Sequence, residues 1–172
     1  MSRALLEFLA SVVPEENIRQ QEPMSEHTTF RVGGPAEVFV TVDDREQLGK
    51  VIRYLNLTGW SHFLLGNGSN LLVGDKGYKG VVIRLGREFE NVKMEGSRLT
   101  CGAAVSLAKA AKTAMENGFS GLEFASGIPG SVGGGVRMNA GAYGGELGNL
   151  VESVLVMAKD GSLMELDNET ME

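Results

Sequence analysis

"AEVFVTVDDREQLGKVIRYLNLTGWSHFLLG", residues 36–66, decides the fold. Ala36 to Val42 alternates apolar with polar or small residues and is rich in branched side chains, the pattern of a strand. Asp43 and Asp44 then offer a helix N-cap. Leu48, Val51, Ile52 and Leu55 fall at i, i+3, i+4 and i+7, a single apolar stripe that runs up to Gly59. His62 to Leu65 reads as a short buried strand. Strand, helix and strand at this spacing predict a βαβ unit whose strands lie parallel in one sheet, because a parallel return needs a crossover.

Working outward, Leu5, Leu6, Leu9 and Val12 or Val13 recur at helical spacing, so the N-terminus predicts an amphipathic helix closed by Pro14 and packed on the outside. Gly80 to Leu85 is a further strand, and "NVKMEGSRLTCG" a hairpin turning at residues 95–97. Val105 to Asn117 is helical by propensity, with Gly118 as its stop. "VESVLVMAKDGSLMELD" predicts two strands joined by Asp160-Gly161, with Val154, Val156 and Met157 in a strand core. "DNETME" then opens like a helix, with Asp167 or Asn168 as cap, and suggests a piece of something longer.

The 172 residues, 42% hydrophobic and 22% charged, suit a folded domain or two small ones. A net charge of −6 argues against general affinity for nucleic acid or anionic membranes, which leaves small molecules or proteins as partners. Cys101 is the single cysteine, so no internal disulfide forms and a cytoplasmic location fits; as a lone cysteine in a hairpin strand it reads as inert. No apolar run reaches membrane-spanning length, and the start lacks the pattern of a signal peptide. Glycine is the anomaly: 24 residues, clustered at 66–80 and 118–148.

Those clusters hold the candidate chemistry. "LLGNGSNLLV", residues 64–73, places a glycine-rich turn at the carboxyl end of a parallel strand, where backbone N–H groups are exposed and such sheets present ligands. Gly66 and Gly68 permit close approach, while Asn67, Ser69 and Asn70 add short polar side chains. In outline it is a pyrophosphate cradle, although neither a Rossmann fingerprint nor a P-loop is present; the alternative is a tight structural turn. "SGIPGSVGGGVRMNAGAYGGE", residues 126–146, reads as glycine turns whose amides touch a large flat or charged ligand, with Ser131 and Asn139 for specific hydrogen bonds. The alternative there is close packing of bare backbone. Arg31, in "HTTFRVGGPA", is a candidate for a phosphate or an aromatic ring, the alternative being a surface or structural arginine. His27 and His62 have no Cys, Asp or Glu at ligand spacing, which argues against a metal site, and His62 reads as a packed histidine. Ser126 and Ser131 sit in no G-x-S-x-G pattern, against a serine hydrolase.

Taken together, "HTTFRVGGPAEVFV", "LLGNGSNLLVGDKGYKGVVIRL" and "GLEFASGIPGSVGGGVRMNAGAYGGELGNLV" resemble the signature blocks of the UDP-N-acetylenolpyruvoylglucosamine reductases, also called UDP-N-acetylmuramate dehydrogenases. The resemblance covers most of residues 25–160. It implies an α+β, two-lobed FAD-binding fold of the vanillyl-alcohol-oxidase (PCMH) type: residues 1–24 as helix and lead-in, 25–86 as a first lobe containing the βαβ unit, and 87–172 as a second lobe. It also implies the reaction, in which NADPH reduces the flavin and flavin N5 passes a hydride to the enolpyruvyl group of a UDP-sugar, giving UDP-N-acetylmuramate for peptidoglycan.

By the same resemblance, Leu65, Gly66, Asn67, Gly68, Ser69, Asn70 and Leu71 form the loop on the FAD pyrophosphate. Gly127, Ile128, Pro129, Gly130, Ser131, Val132, Gly133 and Gly134 lie along the flavin and diphosphate, and Asn139, Gly141 and Ala142 stand close to the cofactor. Arg31 helps to position the first lobe. Arg137 departs from the family, which tends to carry an apolar or aromatic residue there. The family's catalytic arginine, serine proton donor and glutamate are expected beyond Glu172, so no catalytic residue and no metal ligand is assigned within the chain. The resemblance thus implies the FAD-binding part of an oxidoreductase, inactive alone. The alternatives are another FAD oxidoreductase of this fold and a non-catalytic binding module.

Overall fold

In a computed structural model, residues 2–171 are described. Helix α1, Arg3–Val12, opens the chain, and strand β1, Ile18–Pro23, follows. Strand β2 (Pro35–Val42), helix α2 (Arg45–Thr58) and strand β3 (His62–Leu65) are the expected βαβ unit, and β4 (Tyr78–Leu85) comes next. Their sheet has the order β1-β2-β4-β3. β2 and β3 are therefore parallel in one sheet, as the sequence predicts, but β4 is inserted between them, parallel to both. β1 pairs antiparallel on the far side of β2. The stretch expected to be only a lead-in thus supplies an edge strand.

The local reasons for α2 are those read from the sequence. The Asp44 carboxylate accepts a 2.8 Å hydrogen bond from the Gln47 amide and caps the first turn. Gly59 ends the helix at a left-handed φ of 71°. The stripe Leu48, Val51, Ile52 and Leu55 is buried against Val38, Val40 and Val42 of β2, Val81 and Ile83 of β4, and Leu5, Leu9 and Val13. Each such fully buried side chain contributes about 1.5–3 kcal/mol. Helix α1 lies outside α2, as expected, yet Leu5 and Leu9 are completely buried, and Phe8 stacks on Tyr54 of α2 with ring centroids 3.7 Å apart.

β3 corrects one expectation. It is the sheet's other edge, and of His62 to Leu65 only Leu65 is buried, with Leu64 52% exposed. An apolar run reads the same at an edge as in a centre, so pairing decides. His62 nevertheless has a partner, since its Nδ1 hydrogen-bonds the Trp60 carbonyl at 2.9 Å.

The second lobe is built of small pieces. A hairpin of β5 (Val92–Glu95) and β6 (Arg98–Cys101) leads to α3 (Leu107–Glu116), whose N-cap is Ser106. A 3-10 turn, Glu123–Gly127, precedes α4 (Val132–Arg137), the two-residue strands β7 (Gly141–Ala142) and β8 (Gly145–Glu146), and the hairpin of β9 (Ser153–Met157) and β10 (Leu163–Asp167). Its core is small: Leu107, Phe124, Ala125 and Leu147. Val154 and Val156 are only half-buried, so the strand core expected there is partial, although Met157 packs on the first lobe's core. The Asp167 carboxylate accepts from the Thr170 amide, the cap expected at the end of the described residues, over a single 3-10 turn.

The β9–β10 turn reaches back to the first lobe. Arg53 Nε donates to the Asp160 carbonyl at 2.7 Å, and Asn56 Nδ2 to the Lys159 carbonyl at 3.1 Å. Gly49, in mid-helix, leaves room for this: a Cβ there would stand 3.3 Å from the Gly161 carbonyl oxygen. Helix glycine costs about 1 kcal/mol relative to alanine. Close approach of the hairpin is what that cost permits.

Candidate functional site

The first-lobe sheet has one face against helices and another that positions a site. Val38, Val40 and Val42 belong to the helix side, while Ala36 and Phe39 on β2, Val82 on β4 and Leu65 on β3 form a second cluster with Met24. Leu71, Val73 and Tyr78 cover it. Side chains alternate along a strand, so Arg84 follows Val82 on this face, and its register partners are Thr41 and Leu65. At that level a cavity of about 490 Å³ opens at the carboxyl edge of the sheet. It is lined by residues 26–29 and Arg31 from one stretch, Leu65 at the end of β3 with Gly66 and Asn67 after it, Arg84 and Leu85 at the end of β4, and Glu90 and Ala104 from the second lobe.

The glycine loop is the wall of that cavity best explained by its sequence. Gly68 holds a left-handed φ of 64°, and a Cβ there would overlap the His27 carbonyl. Its carbonyl oxygen accepts a 3.1 Å hydrogen bond from the Thr29 amide, which locks the loop to residues 27–29. His27 is itself fixed: its ring stacks on Phe39 with centroids 4.2 Å apart, and Nε2 hydrogen-bonds Glu22 at 2.8 Å, which Arg19 also contacts at 2.7 Å. Burial opposes the charge on Glu22, but the hydrogen bonds from His27 and Arg19 outweigh it and hold the carboxyl below its usual value. The amides of Gly66 through Asn70 donate to no protein acceptor among the described residues. Five successive undonated N–H groups after a parallel strand leave partial positive charges without a protein partner, a feature suited to an anion.

The second glycine segment abuts the first. A Cβ on Gly66 would stand 2.5 Å from Ser131 Oγ, and one on Gly130 would stand 3.9 Å from Ser69 Oγ. The structure therefore brings residues 66–69 and 130–131 together, although 61 to 65 residues separate them in sequence. It also corrects the reading of the glycine run as turns, because residues 132–137 form α4. Ser131, expected to bond a ligand, is buried and caps α4, its Oγ accepting from the Gly134 amide at 3.3 Å. The Val132 and Gly133 amides donate to Val105 and Ala103 at 2.7 and 2.9 Å. Cβ atoms on Gly133 and Gly135 would each come within 2.8 Å of a neighbour, Ala103 and Leu147, so these two glycines serve close packing. Gly127 is exposed with nothing within 4 Å of its missing Cβ; Pro129 and Gly134 are also exposed, and Ile128 packs on the second-lobe core.

The third group stands apart. Asn139 has a φ of 43°, and its Oδ1 accepts from the Gly148 amide at 2.8 Å. Gly141 and Ala142 pair with Glu146 and Gly145, and none of the three lines the cavity at the sheet edge. Beside them a second cavity of about 420 Å³, at Glu123, Phe124 and residues 143–145, carries Tyr143, fully exposed with a φ of 54°. Arg137 lies exposed in the last turn of α4, where a cation suits the helix C-terminus. Burial raises the Cys101 thiol above its usual value, in keeping with an unreactive cysteine. Among the described residues no cluster of His, Cys, Asp and Glu could hold a metal, and no helix is long and apolar enough to cross a membrane.

Residues 36–167 match the family described as FAD binding domain. The chain belongs to that family. It is 42% identical over 164 residues to the UDP-N-acetylenolpyruvoylglucosamine reductase of Clostridioides difficile, covering 95% of this chain and 54% of that protein. The solved structure of UDP-N-acetylenolpyruvylglucosamine reductase from Thermus caldophilus superposes with a TM-score of 0.76 at 39% identity, over 88% of this chain and 53% of that one. The chain thus spans about half the length of these relatives. p-Cresol methylhydroxylase, at 16% identity, matches with a TM-score of 0.64 over 94% of this chain and 34% of its own, which shows the fold alone. The fold is the two-lobed PCMH type that the resemblance implies.

An FAD binding domain needs a place for a diphosphate, and the undonated amides beside a polar cavity fit one. Sequence reasoning missed three charged lining residues, Arg84, Glu90 and Glu26. For Arg84 the signal was present: an arginine interrupts the apolar run "GVVIRL" at the carboxyl end of a strand that presents ligands there.

Proposed function

We propose that the chain is the FAD-holding part of a reductase that converts UDP-N-acetylglucosamine enolpyruvate to UDP-N-acetylmuramate, with NADPH as reductant, in cytoplasmic peptidoglycan synthesis. The observation that carries this reading is the run of undonated amides from Gly66 to Asn70, which begins in the cavity wall and abuts Gly130 and Ser131. Likeness to reductases over nearly the whole chain supports it. FAD, when bound, supplies the hydride-carrying centre. The chain's residues do the holding: Leu65 and Leu71 anchor the loop in the core, the amides of 66–70 receive the diphosphate, and Gly127 to Gly134 form the facing wall. Asn139, Gly141 and Ala142 contribute at the far end of the cofactor. The groups that stabilise the substrate carboxylate and deliver a proton are assigned to the half of the relatives that this chain does not span.

Adding FAD to the purified protein tests the first part. Binding quenches flavin fluorescence, colours the protein yellow and raises its melting temperature; a colourless protein whose melting is indifferent to FAD ends this reading. The second part is tested by a chimera in which residues 1–172 replace the matching half of the Clostridioides difficile relative. It oxidises NADPH only when the enolpyruvyl sugar is supplied. A chimera that binds FAD yet never turns over this substrate favours another FAD oxidoreductase of the same fold.

A further inference from the structure

The cavity at the sheet edge contains two arginines that form no ion pair among the described residues. Arg19, Arg45 and Arg98 each hold a carboxylate at 2.7 Å or less. Arg31 and Arg84 make no ion pair among the described residues, in a chain whose net charge is −6, although Glu26 and Glu90 line the same cavity. Both stand beside the glycine loop. Arg84 is the register partner of Leu65, one residue before Gly66, and Arg31 closes a turn onto the Thr28 carbonyl, next to the Thr29 amide that bonds Gly68. Arg31 also keeps a left-handed φ of 54°, a conformation that costs a non-glycine residue about 1 kcal/mol or more and needs a reason.

We propose that Arg31 and Arg84 form a guanidinium clamp on the diphosphate of the bound dinucleotide, opposite the amides of residues 66–70. The inference rests on the FAD reading above and deepens it by naming the charged contacts. Amides alone supply partial charges, whereas a guanidinium offers paired donors matched to phosphate oxygens. The other ionisable groups at the cavity narrow the ligand further. The His27 ring is already engaged by Glu22. Glu26 and Glu90 repel a bare anion but accept hydrogen bonds from hydroxyls, so the site selects a phosphate joined to sugar over inorganic phosphate. A nucleoside diphosphate segment carries both features.

The test measures the affinities of FAD, ADP and riboflavin for the protein and for its Arg84→Gln, Arg31→Gln and doubly substituted forms, at low and moderate salt. Each single change lowers affinity for FAD and ADP by about tenfold to a hundredfold, the effect of losing a charged hydrogen-bonding group. Riboflavin, which has no phosphate, binds the variants as it binds the parent. The salt dependence of FAD binding flattens in the double variant, and Arg84→Lys restores part of the loss. Both side chains are exposed, so melting temperatures stay near the parent's. The clamp is overturned, with the FAD reading intact, if the double variant binds FAD and ADP within about twofold of the parent or if riboflavin affinity falls in step. If the parent itself binds no FAD, both fail together.

Discussion

Gly68 and Glu22 show how single residues fix the loop at the cavity. At Gly68 a left-handed φ of 64° and contact with the His27 carbonyl leave no room for a side chain. Gly68→Ala therefore costs at least about 2 kcal/mol, seen as a fall in melting temperature of roughly 4–8 °C, together with weaker FAD binding. Gly127 is the counter-case, because open space surrounds it and its φ is unexceptional. Gly127→Ala leaves melting within roughly 2 °C and lowers FAD affinity; a melting loss without an affinity loss would assign it to the fold instead. Glu22 supplies a pH test. Its folded-state carboxyl is held below its ordinary value, so the stability it contributes is fully present above that ordinary value and drains away as pH falls through the lower folded one. Melting measured from pH 5 downward should fall less steeply for Glu22→Gln than for the parent.

Helix α2 and helix α4 mark the two ends of what was legible at the scale of elements. In α2, cap, stripe and stop agree, so the helix could be read without tertiary information. Asp44→Ala removes the bond to the Gln47 amide and should cost about 1 kcal/mol, or roughly 2–4 °C in melting temperature. In α4 local propensity points the other way, since "VGGGVR" is a poor helix former, and only packing against Ala103, Leu107 and Leu147 makes it helical. Gly135→Val presses on Leu107 and Leu147 and should destabilise by about 1–3 kcal/mol in thermal melts. β1 was invisible for a related reason: "IRQQEP" is polar and ends in proline, and only its ladder to β2 makes it a strand. At the site, the glycines of 66–70 were legible from order and spacing. The meeting of Gly66 with Ser131, and of Arg84 with the glycine loop, belongs to the topology that inserts β4 beside β3, which periodicity does not encode.

Over the whole molecule, the two lobes differ in how they are held. The first buries two clusters on opposite faces of one sheet, whereas the second gathers only Leu107, Phe124, Ala125 and Leu147 into a buried cluster and has an exposed apolar surface at Leu155, Leu163 and Met164. Replacing those three with Thr, Thr and Lys should leave melting almost unchanged and reduce binding of a hydrophobic dye; a large melting loss would mean that they pack in solution. The hairpin that carries them is also one of the ties between lobes, through the Arg53 and Asn56 contacts with residues 159 and 160. That tie gives folding an order in time. Arg53 finds its partner 107 residues later, so as the chain leaves the ribosome α2 can pack on its sheet long before the hairpin exists to cover its outer face. The first lobe matures early, and the mutual setting of the two lobes waits until the hairpin has been made.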